Sequence, residues 1–220
     1  MRYKILVFNL GGLAENDKGF NVLVDLISKL SPDLILFQEI RVNKDSKNLL
    51  FSLKDILRFP YSNFVEAFDF SIDYGKGIFQ SKSVKEGIGI LSKLKFKTQK
   101  FNLPIIKGED RWPRTAVFYD FGNFSICNLH LSKYENSRKL EIEKLPDADI
   151  YAGDFNMLPE EVKRYFGDYK ISYDFNKYLS FPSKNMTLDY IILKKGKFIE
   201  VEPIEKKISD HTAIFSIIEI

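Results

Sequence analysis

The chain has 220 residues, 45% of them apolar, which is enough to bury a sizeable core within one α/β domain, here expected to span residues 1–220. Its 33 Lys and Arg against 30 Asp and Glu leave a net charge of +3, too small for bulk electrostatics to announce a polyanionic partner, so any basic surface must be local. No apolar run approaches the ~20 residues of a membrane-spanning helix, nothing resembles a cleaved leader, and the one cysteine, Cys127, excludes an internal disulfide, so a soluble, cytoplasmic protein is expected.

From Tyr3 to Phe8 the residues are β-branched, aromatic or apolar almost throughout, the mark of a strand covered on both faces, and Asn9 with Gly11-Gly12 ends it. Leu23, Leu26, Ile27 and Leu30 recur at helical spacing, and Pro32 disfavours a helical Ser31, which predicts a helix from Phe20 to Leu30. A second buried strand, Leu34 to Gln38, follows. Leu50, Leu53 and Leu57 predict another helix and Tyr61 to Ala67 a further strand.

The pattern then changes to strands at Gly87–Leu91, Thr115–Phe121, Phe124–Leu131, Ile150–Ala152, Tyr190–Leu193 and Ala213–Ile218, with a hairpin at Gly122-Asn123. Helices are expected only over Glu135–Lys144 and after Pro159. The Lys-rich stretch from Lys93 to Lys100 reads as a solvated face. Two long segments, Asp69–Lys85 and Tyr173–Met186, carry no periodicity. Mixed strands with covering helices imply two packed sheets between helix layers, and no linker or repeat divides them.

Polar residues that end these apolar strands carry the chemistry. They are Asn9, Glu39, His130, and Asp154 with Asn156; Asp189 and the Ser209-Asp210-His211 triplet precede strands. Buried carboxylates and imidazoles are costly unless paired, hydrogen-bonded or bound to a metal, and parallel and antiparallel strands can bring these ends to one rim. Each has a bland reading: a surface Glu, core histidines, and a "GDFN" turn. Their joint occurrence at strand ends favours a shared cleft.

In chain order, "VFNLGGL", "LILFQEI", "EGIGILSK", "RTAVFYDF", "ICNLHLS", "YAGDFN", "TLDYIIL" and "SDHTAIF" resemble the endonuclease/exonuclease/phosphatase superfamily along nearly the whole chain. The resemblance implies an α/β fold, a four-layer α/β/β/α sandwich with two packed mixed β-sheets. It implies Mg2+, with Mn2+ as a substitute, held by Glu39 with Asn9 and Asp210 close to the ion or its waters. Asp154 would orient or deprotonate the attacking water, and Asn156 would hold Asp154 and the phosphate in register. His211, paired with Asp189, would stabilise or protonate the phosphoryl oxygens; whether Asp154 or His211 is the base stays open. His130 and Arg114 would be cationic phosphate ligands, Arg114 being preferred to Arg111.

Gly11 stands where many relatives carry a second Asn or Asp, which favours one metal. The His-containing "CNLHLS" and the "YLSFPS" stretch resemble the sphingomyelinase, tyrosyl-DNA phosphodiesterase and inositol phosphatase branch. The leading expectation is a monomeric phosphodiesterase acting on nucleic acid, DNA or RNA, without an obligate protein partner. Alternatives are a phosphomonoesterase, an enzyme of a phosphorylated small molecule or a lipid such as sphingomyelin or an inositol phosphate, and a non-catalytic binding module. In the lipid reading Phe68, Phe70, Tyr74 and Phe79 would insert into an interface. Trp112 is expected to pack on Pro113.

Overall fold

The structure, a computed structural model, describes residues 1–13, 18–43, 49–72, 84–110 and 112–220. In chain order the elements are β1 (Arg2–Asn9), α1 (Lys18–Leu30), β2 (Leu34–Asn43), α2 (Leu49–Leu57), β3 (Tyr61–Asp69), β4 (Val84–Ser92), β5 (Lys97–Asn102) and β6 (Thr115–Asp120). They continue with β7 (Ser125–His130), α3 (Glu135–Ile142), β8 (Ile150–Asp154), α4 (Pro159–Phe166), β9 (Lys170–Ile171), α5 (Ser172–Phe175), β10 (Asp189–Leu193), β11 (Lys197–Ile204) and β12 (Ala213–Glu219).

Two mixed, six-stranded sheets form, one ordered β11-β12-β1-β2-β4-β3 and the other β5-β6-β7-β8-β10-β9. Period-two alternation explains the layers. In β1, Ile5 and Val7 face the second sheet and pack with Leu34, Leu36, Val117, Ile126, Ile150 and Ile191, while Leu6 and Phe8 face the other way, into Leu23 and Ile27 of α1 and Leu50 and Leu53 of α2. On the far side, Cys127, Leu129, Tyr151 and Ile192 meet Val162 and Phe166 of α4. Three apolar interfaces thus separate four layers, α/β/β/α, as expected. Packing supplies the drive, since each alternating face is removed from water.

The centre of each sheet is a parallel pair, β1 with β2 and β7 with β8, and each pair is joined through a helix. The carboxyl ends of these four strands therefore open at one rim, the usual ligand edge of such sheets. Beneath that rim the sheets are joined by polar side chains: Gln38 Nε2 donates to Asn128 Oδ1 at 2.7 Å, and Asn128 Nδ2 donates to the carbonyls of Phe37 at 3.3 Å and Gly89 at 3.1 Å.

The expected helices and inner strands are present, with four differences. β2 does not stop at Gln38 but runs to Asn43 through a bulge between Phe37 and Ile40. The Lys-rich stretch is solvent-exposed as expected but is also the edge strand β5, and β11 is a second edge strand the pattern does not announce; an edge strand wetted by solvent needs no apolar alternation. The unassigned stretch Tyr173–Met186 contains most of α5, a short 3-10 turn at Pro182–Lys184, and the buried Tyr178 and Ser180. Trp112 has aromatic partners that the sequence does not announce: it stacks on Phe68 at 5.3 Å and 7° and meets Phe70 edge-on at 5.0 Å.

Candidate active site

The hub is Asp154, the last residue of β8 and almost fully buried. Its Oδ1 accepts the Asn156 backbone N–H at 2.8 Å, which leaves Oδ2 facing the rim. Around Oδ2 stand Asn9 Nδ2 at 3.0 Å, His130 Nε2 at 3.5 Å and His211 Nε2 at 4.0 Å. Asp189 opens β10 directly opposite Asp154 in the antiparallel register, and its Oδ2 lies 2.8 Å from His211 Nδ1. Strand register alone therefore aligns His130, Asp154 and Asp189 in adjacent rows.

Glu39 reaches the same centre from the other sheet. Its Oε1 lies 3.3 Å from Asn9 Nδ2 and 4.0 Å from His130 Nε2. The bulge in β2 puts Glu39 at φ +52°, a left-handed backbone that a side-chain-bearing residue adopts only against strain. Asn156 also sits at φ +52°, but asparagine tolerates this region, and its Nδ2 donates to the Leu131 carbonyl at 2.9 Å. Gly11, at φ +56°, donates its N–H to Asn9 Oδ1 at 3.0 Å. A Cβ there would fall 2.6 Å from Asp210 Oδ1 and 2.9 Å from Ser209 Oγ, so the absence of a side chain lets the Asp210 carboxylate close on this turn.

The electrostatics separate the two histidines. For His211, burial alone lowers the pKa, but Asp189, Asp154 and Asp210 outweigh it and raise it to about 9, so this imidazole is a cation at neutral pH. His130 is held well below the ordinary value by burial, reinforced by Arg114, His211 and Lys133. The cationic role expected of His130 is thus corrected: it is a neutral hydrogen-bonding group, and Arg114 carries the charge beside it. Arg114 lies 3.1 Å and 3.3 Å from the two ring nitrogens through one guanidinium nitrogen, a position over the ring face. Asp154 is raised to about 7, by burial first and then by Asp189, against the lowering effect of His211.

Of the residues expected from sequence, Asn9, Glu39, His130, Asp154, Asp189 and His211 come together. Asn156 and Arg114 adjoin them through Asp154 and His130. Asp210 is exposed at the rim, beside Gly11 and Ser209. Arg111, Tyr74 and Phe79 lie outside the described residues. Phe68 and Phe70 are buried, so they are not the membrane-inserting side chains that the lipid reading required.

Sequence reading passed over two groups. Arg41, on β2, pairs with Glu86 at 2.8 Å, stands 3.9 Å from Glu39 and lies over the Phe70 ring at 5.5 Å. Its place two residues after Glu39 on one strand was the available signal. Glu86 is buried and its acidity weakened, first by burial and then by Glu39, with Arg41 and Arg114 opposing. Ser180, in "YLSFPS", accepts the N–H groups of Leu188 at 2.8 Å and Asp189 at 2.9 Å, and its own carbonyl accepts Thr212 N–H at 2.8 Å. One serine thus ties the strand of Asp189 to the turn of His211, whose ring packs against Phe181 at 4.9 Å.

Two donor sets could hold a cation. Ligand atoms of Asp154, Asp189 and His211 all lie within 4.8 Å of one another. In that set His211 is charged and committed to Asp189, a poor ligand at neutral pH. Glu39, partly exposed at the rim and with Arg41 no nearer than 3.9 Å, offers hard oxygen beside Asp154, a better donor set for a hard divalent cation. Asn9, as placed, turns its amide nitrogen to both carboxylates and its oxygen to Gly11, so it orients the carboxylates.

The sequence profile of the Endonuclease/Exonuclease/phosphatase family matches residues 6–211. The chain belongs to that family. Comparison with curated protein sequences gives no match. Among solved structures, an endonuclease/exonuclease/phosphatase from Beutenbergia cavernae aligns with a TM-score of 0.77 at 12% identity, over 100% of this chain and 72% of that one. D. rerio TDP2, complexed with single strand DNA product, aligns at 0.67 and 16% identity over 100% and 99% of the two chains. A Bacteroides thetaiotaomicron mannosyl-6-phosphatase aligns at 0.66 and 14% identity over 99% and 100%. At these identities the likeness shows the shared fold of the family, whose members are phosphoester hydrolases.

Proposed function

We propose that this chain is a catalytic domain that hydrolyses phosphodiesters in nucleic acid with the help of a divalent cation, magnesium by preference and manganese as substitute. The observation that carries this reading is the convergence on Asp154 Oδ2 of Asn9, His130 and His211, with Glu39 alongside and Asp189 behind His211. A structural core has no use for so many buried ionisable groups in one place.

Asp154, with one oxygen fixed by Asn156 N–H, presents the other to a water and takes its proton as the water oxygen bonds to phosphorus. His211, its Nδ1 engaged by Asp189, presents Nε2–H toward the phosphoryl or departing oxygen and donates as the ester P–O bond breaks. Arg114 and neutral His130 face the phosphoryl oxygens. Glu39, with Asp210 at the rim, would hold the cation, which supplies charge neutralisation at phosphoryl and leaving oxygens. Arg114, against His130, supplies a cation beside the centre that suits a backbone phosphate.

Turnover of bis-nitrophenyl phosphate, nitrophenyl phosphate and single-stranded DNA and RNA, with and without magnesium, tests the proposal. Magnesium-dependent diester cleavage is expected, with losses of at least ~100-fold in Asp154→Asn and His211→Ala at unchanged melting temperature. Faster turnover of the monoester would replace the diesterase by a phosphomonoesterase, and variants as active as the parent would overturn the site.

A further inference from the structure

Behind the phosphate-facing side chains lies a second polar group that the chemistry above does not use. Ser132, fully buried just after β7, has every polar atom engaged. Its N–H donates to Glu141 Oε2 at 2.8 Å, its hydroxyl donates to Asp110 Oδ1, and its carbonyl accepts from Arg138 at 3.2 Å. The hydroxyl also accepts Tyr134 N–H at 3.1 Å. Two carboxylates, one on α3 and one on the loop between β5 and β6, thus end on one serine. Both side chains are buried, and each keeps one oxygen, Asp110 Oδ2 and Glu141 Oε1, with no hydrogen-bond partner.

Among the described residues neither carboxylate forms an ion pair: Arg138 is committed to Glu161 of α4 through two bonds of 2.9 Å and 2.8 Å. An ionised Glu141 would be a fully buried charge without an ion-pair partner, and a proton on its carboxyl removes most of that cost. Ser132 stands one residue from Leu131, whose carbonyl holds Asn156 Nδ2, and two from His130. Asp110 stands four residues before Arg114 on the loop that ends there.

We propose that Glu141 is a positioning residue: together with Asp110 it clamps Ser132 and so sets Asn156, His130 and Arg114 against the reacting phosphate. The consequence for catalysis rests on the phosphoesterase reading, whereas the clamp does not. The groups facing Glu141 are Asp110 from the loop, Ser132 just after β7, Arg114 at the end of the same loop as Asp110, and Arg138 from its own helix. Burial raises the Glu141 pKa to about 7, with Asp110 adding and the Ser132 N–H and both arginines opposing. The native state therefore keeps a proton that the unfolded chain releases above 4.5, so the clamp weakens as pH rises through about 7.

Glu141→Gln and Glu141→Ala separate the possibilities, because glutamine, neutral at every pH, can still accept Ser132 N–H and alanine cannot. Amide hydrogen exchange at Leu131, Ser132 and residues 103–110, followed from pH 6 to pH 8.5, reads the clamp without any substrate. After correction for intrinsic exchange, protection in the parent is expected to fall at least about fivefold across neutrality, to stay flat in Glu141→Gln, and to be low throughout in Glu141→Ala. In diester turnover at pH 6.5, Glu141→Ala should raise KM at least ~10-fold, and Glu141→Gln should stay within about threefold of the parent. Glutamine behaving like alanine, or alanine leaving both protection and KM at parental values, would overturn the clamp. Failure of the parent to cleave any phosphoester would sink the functional reading alone and leave the exchange result to decide the clamp.

Discussion

Glu39 shows at the scale of one residue how the site is held against the preferences of the chain. Its left-handed backbone costs on the order of 1–2 kcal/mol for a residue with a Cβ, and its carboxylate adds repulsion toward Glu86 and Asp154. Glu39→Gly removes both costs while freeing the unfolded chain a little. We expect a gain of about 1 kcal/mol in urea unfolding together with loss of magnesium-dependent turnover. A destabilised Glu39→Gly would mean that the bulge is set by the side chain rather than by the fold. From sequence, Glu39 was readable because an acid after Ile35-Leu36-Phe37 is anomalous at any strand end. The bulge itself was not, since it arises from pairing with β4 about fifty residues away.

At the scale of elements, the segment from Tyr173 to Met186 shows what periodicity misses. It is ordered by hydroxyl groups rather than by an apolar face: Tyr178 OH donates to the Asp189 carbonyl at 3.1 Å and shares a 2.7 Å bond with Ser172, while Ser180 holds two backbone N–H groups of the next strand. No spacing rule announces such a segment, although its "YLSFPS" resemblance did point to the site. Ser180→Ala would leave two buried donors without partners at the point where Asp189 is set. A loss of about 2 kcal/mol in stability is expected. Diester turnover should fall as well, measured at a temperature where the variant is fully folded. Helices α1 and α2, by contrast, were legible from leucine spacing alone, because they bury one stripe each against the sheet. Strands β5 and β11 were not, because solvent accepts polar side chains on an outer strand.

Across the whole molecule, the site spans two sheets that share no strand pairing among the described residues. Asn9 and Glu39 come from one, His130, Asp154 and Asp189 from the other, and the Gln38–Asn128 link lies directly below. Asn128→Ala would strand Gln38 Nε2 and two carbonyls in the core, and a destabilisation of about 2 kcal/mol or more should appear in denaturant unfolding. Replacing both residues by leucine should recover much of that loss, because an apolar pair leaves fewer unsatisfied groups. A double variant no more stable than Asn128→Ala would assign the cost to packing. The four layers were legible because each buried strand alternates between two apolar surroundings. Which strand ends would converge followed from their polar terminal residues, but the distances between them depend on inter-sheet contacts that one strand does not encode.

The closeness of Gly11 to Asp210 limits how this centre can change by evolution or engineering. Grafting an asparagine at position 11 would not simply enlarge the donor set, because its first carbon would collide with the carboxylate already filling that volume. The two loops have become interdependent: position 11 stays bare for as long as position 210 leans inward, and any route to a second acceptor there must remodel both together.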